Sequence, residues 1–403
     1  MNFLQNKLKT RKETLRFIFL WTFILGFVAH GFCYFNQMYS HDSLLVYQND
    51  DAWQITLGRF MTQFYLKLRG RFYTPSFIGT LSLLFVALSV YLIVKLLSIE
   101  KSLSTFLICG VMATNLVVTM TNANYIFCTD CYMLALLFSV IGVWTACKYK
   151  FGFLIAPLFF CVTLGIYQAY FQVAVVFLMI LVIKDILDSK ETKDILYLGI
   201  KSLISLFLGL IVYYISLQLV LKTTGLSLST GYNGVNSVGH FESLSSLITN
   251  FIQTYKVVFS FFKEPILYQS KIMSFVNAFL LLISIIFLIG TITIKKIRGW
   301  NLAILFILIP LLPFGTNFVC FLSKGNEHHL TRYAFFFVYI FAIYLADNFF
   351  TENMLGVDKL QLKKYAIGSL LVPGAMSIFI FNSIVYSNAA GIAKFVYMQS
   401  ITM

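Results

Sequence analysis

The sequence predicts an all-α polytopic membrane protein, and its composition and its apolar runs are the observations that predict this fold class. Of its 403 residues, 59% are hydrophobic and 11% are charged, whereas soluble proteins carry roughly a quarter charged residues. Apolar runs recur along the whole chain, separated by short polar segments. Because a helix needs roughly 17–25 apolar residues to cross a bilayer, we expect about eleven crossings.

Each predicted crossing corresponds to one apolar run of the sequence. The first run is longer than the ~7–15-residue apolar core of a signal peptide, so we interpret it as a retained span. The run that contains Pro157 is the shortest, and the number of crossings depends on it. The runs cover residues 17–35, 77–97, 103–120, 131–147, 153–165, 171–186, 196–221, 273–294, 302–322, 334–349 and 366–385.

Basic residues predict the orientation. The formal net charge is +14, but the cations are dispersed between apolar runs, which argues against a nucleic-acid partner. With the N-terminus in the cytoplasm, the basic clusters fall on the cytoplasmic side, as the positive-inside rule requires. The C-terminus is then on the outer side. The clusters are Lys148/Lys150, Lys184/Lys190/Lys193, Lys295/Lys296/Arg298 and Lys359/Lys363/Lys364.

Two long loops are predicted on the outer face of a single membrane domain that comprises residues 1–403. The first loop, residues 37–74, contains an amphipathic pattern over 60–69 that is typical of an interfacial helix. The second, residues 223–271, begins with a Gly/Ser/Asn-rich segment and continues as an amphipathic helix over 244–262. We expect the segment 223–239 to be a mobile loop.

Acidic residues near the outer ends of the spans are the candidate catalytic groups. Asp42 follows the first span, where a partly desolvated carboxylate can act as a general base on a sugar hydroxyl. The alternative is a solvated Asp that caps a helix. One of Asp50 and Asp51 can likewise cap the helix that follows. Asp130 lies at the outer mouth of the fourth predicted span, where a polar group needs a partner or a function.

Polar and basic residues on the same side are the candidate ligand-binding groups. Arg59 begins the interfacial helix and can bind a lipid phosphate bidentately, or simply reach ordinary headgroups. Gln168, in the tight turn after Tyr167, can bind a sugar hydroxyl or another helix. The segment 326–333, which includes Glu327, is the densest polar cluster and suits phosphate or sugar. Adjacent histidines do not share a helical face, so metal catalysis is not favoured.

These residues resemble a family of bacterial membrane glucosyltransferases, the type II O-antigen-modifying group, which has the polytopic GT-C architecture. The likeness extends over most of the chain. Each motif is short. The resemblance depends on the order of the motifs along the chain and on the side of the membrane where each is predicted to lie. The motifs are His41-Asp42-Ser43, Trp53 with Gly58-Arg59-Phe60, Pro75, Gly165-Ile166-Tyr167-Gln168 and Arg332-Tyr333.

The resemblance implies inverting transfer of a hexose, usually glucose, from a polyprenyl-phosphate carrier to a cell-surface polysaccharide or related glycan. It implies a GT-C-like bundle in the bacterial inner membrane, with the active site on the outer face. The donor, the glycan acceptor and membrane lipids are the expected partners. No cofactor is required, although a divalent ion is compatible. The expected catalytic residues are Asp42, Asp51 and Asp130. The expected phosphate ligands are Arg59 and Arg332. The expected sugar or acceptor ligands are His41, Trp53, Tyr167, Gln168, Glu327, His328 and Tyr333.

Two other classes of protein share this composition. A flippase or transporter of lipid-linked sugars would show ionisable residues at mid-span and sequence repeats, whereas here the acids cluster near the ends of spans and no repeat is evident. An assembly protein without enzymatic activity would not need Asp42 or Arg59. The glycosyltransferase therefore remains the favoured prediction.

Overall fold

The computed structural model of the protein describes residues 7–8, 10–38, 43, 52–230, 239, 243–264, 271–323, 328–353 and 368–402. Within these residues the chain is helical and contains no β-strand. The first eight helices are α1 (Arg11–Phe35), α2 (Ala52–Thr56), α3 (Phe60–Arg69), α4 (Pro75–Leu96), α5 (Ser102–Thr114), α6 (Leu116–Tyr125), α7 (Thr129–Lys148) and α8 (Gly152–Ile166). The next eight are α9 (Phe171–Leu187), α10 (Thr192–Thr224), α11 (Leu244–Lys263), α12 (Ile272–Ile294), α13 (Gly299–Thr316), α14 (Phe318–Leu322), α15 (Phe336–Asn353) and α16 (Leu371–Thr402).

The helices confirm the prediction of an all-α polytopic membrane protein. In the described part of the chain, 9 helical stretches are long and apolar enough to cross a membrane. One of them, Ser102–Lys148, has 47 residues and contains two of the predicted runs. The run with Pro157 forms α8, which has 15 residues and is shorter than these stretches. The predicted runs all coincide with helices, apart from residues 366–367, which lie outside the described residues.

Burial separates the inner helices from the peripheral ones. The stretches Ser102–Lys148 and Gln168–Leu187 are largely enclosed by other helices, whereas Thr192–Thr224 and Gly299–Thr316 present most of their apolar side chains outward. In a soluble protein such faces would be unstable, but lipid tails solvate them as well as another helix does. The bundle therefore has an enclosed centre around α7 and α9 and a lipid-facing periphery.

A buried polar break interrupts the enclosed stretch between α5 and α6. The Asn115 side-chain oxygen accepts hydrogen bonds from the backbone N–H groups of Val117 (3.1 Å) and Val118 (3.2 Å). Its amide donates to the carbonyls of Val111 and Met112 at 3.0 and 3.1 Å. One side chain thus satisfies both helix ends at the break, which lipid could not do.

Cations concentrate at one end of the bundle, which we call the basic end and define by Lys7, Lys101, Lys184, Lys190 and Lys295. Four of them form ion pairs there, with N–O distances of 3.2, 3.2, 2.6 and 2.8 Å. Lys295 donates to the Leu187 carbonyl. Since consecutive long helices run in opposite directions, the end of α1 near Phe35 and the turn between α8 and α9 lie at the opposite end of the bundle.

Two amphipathic helices occupy the predicted positions. The pattern over 60–69 forms α3, which ends at Gly70, a residue with φ of +91° that a side chain would strain. Pro75 then opens α4 at the first helical turn. The pattern over 244–262 forms α11, which begins with a capping box at Ser243. Neither α3 nor α11 is among the helical stretches able to cross a membrane.

Candidate active site

Three polar contacts hold the turn that precedes α3. The Gln168 side-chain amide donates to the Leu57 carbonyl at 2.9 Å and to the Tyr213 hydroxyl at 3.2 Å. The Tyr213 hydroxyl in turn donates to the Gly58 carbonyl at 3.1 Å. Gly58 has φ of +75°, the left-handed region that glycine adopts without strain. The turn therefore has one defined geometry, and it places the next residue, Arg59, against the turn between α8 and α9.

Arg59 lies over an aromatic ring with part of its hydrogen-bonding capacity unused. Its guanidinium carbon is 4.5 Å from the centre of the Tyr167 ring, a distance typical of a cation–π contact. Its Nε is buried and has no hydrogen-bond partner among the described residues. A buried N–H donor without an acceptor is costly, and the rest of this half-buried side chain is accessible, so this position suits an anionic ligand.

Tyrosines continue inward from Arg59 as a row, which we call the tyrosine row and define as Tyr167, Tyr132, Tyr170 and Tyr333. The rings of Tyr167 and Tyr132 stack with centroids 4.6 Å apart, and Tyr132 to Tyr170 and Tyr170 to Tyr333 follow at 6.3 and 5.3 Å. The hydroxyl of Tyr170 is buried without a hydrogen-bond partner in the described structure. Tyr333 donates to the Met112 carbonyl at 2.8 Å, beside the break between α5 and α6.

A buried ion pair holds the other end of α3. The Arg69 Nη1 lies 2.8 Å from Asp130 Oδ1 and 2.9 Å from Oδ2, and the two side chains are 1% and 0% exposed. The same Nη1 also donates to the Phe127 carbonyl at 3.1 Å. Arg69 is the last residue of α3, and Asp130 lies in the first turn of α7. The pair therefore joins the interfacial helix to the enclosed centre of the bundle.

Asp130 has further donors around it. The Tyr65 hydroxyl donates to Asp130 Oδ2 at 2.7 Å, and the Cys131 backbone N–H donates to Oδ1 at 2.9 Å. Burial, followed by the negative charge of Asp130, raises the pKa of Tyr65 above its usual value, so this phenol stays a proton donor. The carboxylate thus accepts bonds from three residues and has little capacity left to accept a substrate proton.

The first turn of α3 packs closely on α8. A Cβ added to Gly165 would meet Met61 Cγ at 2.7 Å and Phe60 Cζ at 3.1 Å. The Thr62 hydroxyl donates to the Ile166 carbonyl at 3.2 Å. Glycine suits this approach, because a side chain at position 165 would require Met61 and Phe60 to move.

The structure brings together several of the residues that the sequence singled out. Arg59, Tyr167 and Gln168 form one group, and Asp130 and Tyr333 are joined to it through α3 and through the tyrosine row. Trp53, on α2, is 44% exposed. The expected roles of these residues remain predictions, although the paired state of Asp130 favours a positioning role over that of a base.

Arg332 and His328 contact other aromatic side chains. The guanidinium of Arg332 is 5.8 Å from the centre of the Phe261 ring on α11. The imidazole of His328 meets the ring of Tyr125 edge-on at 6.4 Å. The remaining predicted residues, His41, Asp42, Asp51 and Glu327, lie outside the described residues, as does Asp50.

Sequence reasoning missed the residues that hold the group in place. The sequence assigns Tyr65 and Arg69 only to an amphipathic interfacial face, and it does not single out Tyr132, Tyr170 or Tyr213 as site residues. Arg69 and Asp130 are 61 residues apart in sequence, so no local pattern links them. The one available indication was the polarity of Asp130 at a span end, since such a group needs a partner.

Cysteines and metal-ligating clusters do not add a second kind of site. None of the seven cysteines forms a disulfide, and six of them are buried. Cys128 and Cys131 therefore behave as small core residues rather than as a disulfide. Within the described ranges, no group of three or more His, Cys, Asp or Glu side chains could hold a metal ion.

The fold and this group of residues define a class, a polytopic helical membrane protein with an arginine and a row of tyrosines at the end opposite the basic end. A family model described as "Glucosyl transferase GtrII" matches residues 31–346 of the chain. The chain belongs to this family and is a multi-pass membrane glucosyltransferase, which requires a sugar donor and a glycan acceptor. No curated protein and no solved structure matches it. The matched range includes the described residues of this group, from Arg59 to Tyr333.

Proposed function

We propose that the protein transfers a hexose from a polyprenyl-phosphate carrier to a cell-surface polysaccharide or related glycan. The family indicates that the hexose is glucose. The transfer would invert the configuration at the anomeric carbon. The observation that supports this most is Arg59, a guanidinium stacked on Tyr167 with a buried, unpaired Nε. A lipid phosphate is an anion delivered at the membrane surface, and guanidinium binds phosphate oxygens through paired N–H donors.

Arg59 acts in this proposal on the leaving group. As the bond between the anomeric carbon and the phosphate oxygen breaks, negative charge develops on the phosphate. A preorganised donor in a site that excludes water stabilises that charge more in the transition state than in the ground state. Phosphate needs little acid assistance to depart, so no separate general acid is required. Arg332, over Phe261, is the second candidate for a phosphate contact.

Asp42 is the proposed general base. The acceptor hydroxyl attacks the anomeric carbon from the face opposite the phosphate, forming the new C–O bond as the C–O bond to phosphate breaks, and its proton passes to the carboxylate. Asp42 directly precedes Ser43, a buried residue. Asp51 is the rival for the role, with Asp50. Asp130 is a poorer candidate because Arg69, Tyr65 and Cys131 already occupy its oxygens.

The basic end supports a site on the non-cytoplasmic face. Positive residues are retained on the cytoplasmic side of membrane proteins, and the basic end lies opposite Arg59 in the bundle. The protein would then reside in the bacterial inner membrane with its N-terminus in the cytoplasm. The reaction as proposed uses no cofactor, and a divalent ion between carboxylate and phosphate would be compatible with it.

Membrane vesicles of defined orientation test this proposal. Polyprenyl-phosphate-glucose labelled with carbon-14 in the sugar is supplied, with envelope glycan, to right-side-out and to inverted vesicles that contain the protein. We expect transfer to added glycan in right-side-out vesicles, and its loss in the Arg59→Ala variant. The Lys67→Ala variant, which removes an exposed cation from the same helix, should keep wild-type transfer. Transfer to glycan in inverted vesicles alone would contradict the proposed side.

A further inference from the structure

A groove lies beside α2, between the C-terminal end of α10 and the segment that follows this helix. Its volume is about 740 Å³, within the range of roughly 300–1,000 Å³ that small-molecule sites occupy. The groove is shallow, and most of it is open to its surroundings. Its walls are formed by Gln218, Leu221 and Lys222 of α10 and by residues between Gly225 and Thr230.

A backbone hydrogen bond fixes this groove relative to the proposed donor site. The Ser229 N–H donates to the Thr56 carbonyl at 2.9 Å. The next two carbonyls of the chain, those of Leu57 and Gly58, accept bonds from Gln168 and Tyr213. Arg59 comes directly after them. Three residues span at most about 10 Å of extended chain, so the groove wall and the arginine are held a short distance apart.

The groove's lining combines the two kinds of surface that a sugar presents. Gln218, Lys222, Ser227 and Thr230 supply amide, ammonium and hydroxyl groups, which hydrogen-bond sugar hydroxyls. Leucines at positions 221, 226 and 228 supply apolar surface for the C–H faces of a pyranose ring. None of these described lining residues is acidic, so they do not include the carboxylates that commonly bind a divalent cation.

We propose that this groove binds the acceptor saccharide. This inference rests on the proposed transfer reaction, in which the acceptor hydroxyl must meet the anomeric carbon next to the phosphate at Arg59. An open groove suits a polymer, because neighbouring sugar residues need not fit inside it. Trp53 lies one helical turn before Thr56 and is exposed, which places an indole on the same helix for stacking on a further sugar.

A direct binding measurement tests this inference without any donor. The probe is a fluorescent oligosaccharide, released by mild acid from the surface polysaccharide of cells that produce the protein. It is titrated into the purified full-length protein in detergent. We compare the wild type with Gln218→Ala/Lys222→Ala and with Ser227→Trp, which fills the groove from an exposed position. Lys193→Ala, an exposed cation at the opposite end of α10, is the matched control.

We expect the dissociation constant for the oligosaccharide to rise at least about tenfold in both groove variants, since a good hydrogen bond to a ligand contributes about that factor. It should be unchanged in Lys193→Ala. Equal binding by the wild type and the groove variants, or no binding by the wild type, would overturn the inference. Loss of co-purified anionic lipid in Gln218→Ala/Lys222→Ala with oligosaccharide binding intact would assign the groove to a lipid headgroup instead.

The experiments distinguish an error in the proposed transfer reaction from an error in the assignment of the groove. If the groove binds the acceptor and the proposed donor chemistry is wrong, oligosaccharide binding still weakens in the groove variants, whereas wild-type membranes transfer no glucose. If the chemistry is right and the groove is not the acceptor site, wild-type membranes transfer glucose and the groove variants show an unchanged KM for the acceptor.

Discussion

The guanidinium of Arg69 lies 2.8 Å from the carboxylate of Asp130, and the two side chains are 1% and 0% exposed. The pair fastens the C-terminal end of α3 to the start of α7. Gln168 and Tyr213 fasten the turn at the other end of α3. The interfacial helix is therefore held at both ends, and the position of Arg59 depends on these polar contacts as well as on apolar packing.

Asp130→Asn should destabilise the protein strongly. The substitution leaves a buried guanidinium without its counter-charge, which costs about 3–5 kcal/mol. The double variant Arg69→Met/Asp130→Leu should recover most of that loss, because apolar replacements of a buried pair are often neutral. Unfolding in detergent, followed by circular dichroism, measures both effects.

Glu100→Gln is the control for that experiment. Its partner is Lys7, and the pair is 54% and 63% exposed, so its loss should change the free energy of unfolding by about 0–1 kcal/mol. An Asp130→Asn protein as stable as Glu100→Gln would show that the buried pair does not hold α3.

Tyr65→Phe should lower stability by about 1.5–3 kcal/mol at neutral pH, since it removes a hydrogen bond to a charged group. The effect should depend on pH. Burial raises the pKa of Tyr65 above the unfolded value of about 10, so above that pH the unfolded chain loses a proton that the folded chain keeps. The contribution of Tyr65 is complete below about pH 10 and declines as the pH rises further. A stability gap between wild type and Tyr65→Phe that widened above pH 10 would contradict this sign.

Arg59→Ala should reduce kcat/KM for the lipid donor by about 10²–10³-fold, the loss typical of removing a donor to a developing negative charge. Arg59→Lys should restore little of it, because an ammonium has neither the planar fork nor the stacking on Tyr167. Steady-state kinetics in detergent micelles measure both variants. A fully active Arg59→Lys protein would mean that charge alone is needed.

Gly165→Ala should displace α3 from α8 and destabilise the protein by about 1–3 kcal/mol, since the new methyl would overlap Met61. Gly199→Ala is the matched control, because nothing lies within 4 Å of its added Cβ. That substitution, in an exposed part of α10, should be neutral or stabilising by up to about 1 kcal/mol. Equal unfolding curves for the two variants would refute the close approach of α3.

Much of the fold follows from local sequence. Apolar runs of spanning length predict the long helices because the bilayer imposes their length. The pattern over 60–69, followed by Gly70 and Pro75, predicts α3 and its end within a residue. Asn115 is different: it breaks a continuous apolar run, and its capping role depends on burial of both helix ends, which the sequence does not show.

The site could be predicted only in part. Arg59, Tyr167 and Gln168 were identified one by one, since each is polar or aromatic near the end of a span. Their contacts were not, because Gln168 meets a carbonyl 111 residues away in sequence. The pairing of Asp130 with Arg69 likewise depends on tertiary packing, and without it Asp130 resembled a free acid that could serve as a base.

Transfer of labelled glucose from polyprenyl-phosphate-glucose to envelope glycan, in membranes with equal amounts of wild type or Asp42→Asn, tests the central claim most directly. We predict transfer by the wild type and a loss of about 10²–10⁴-fold in the variant, the contribution typical of a general base. Asp50→Asn and Asp51→Asn are the companion variants and should retain transfer. Equal transfer by wild type and Asp42→Asn would contradict the assignment of the base, and no transfer by the wild type would contradict the proposed donor.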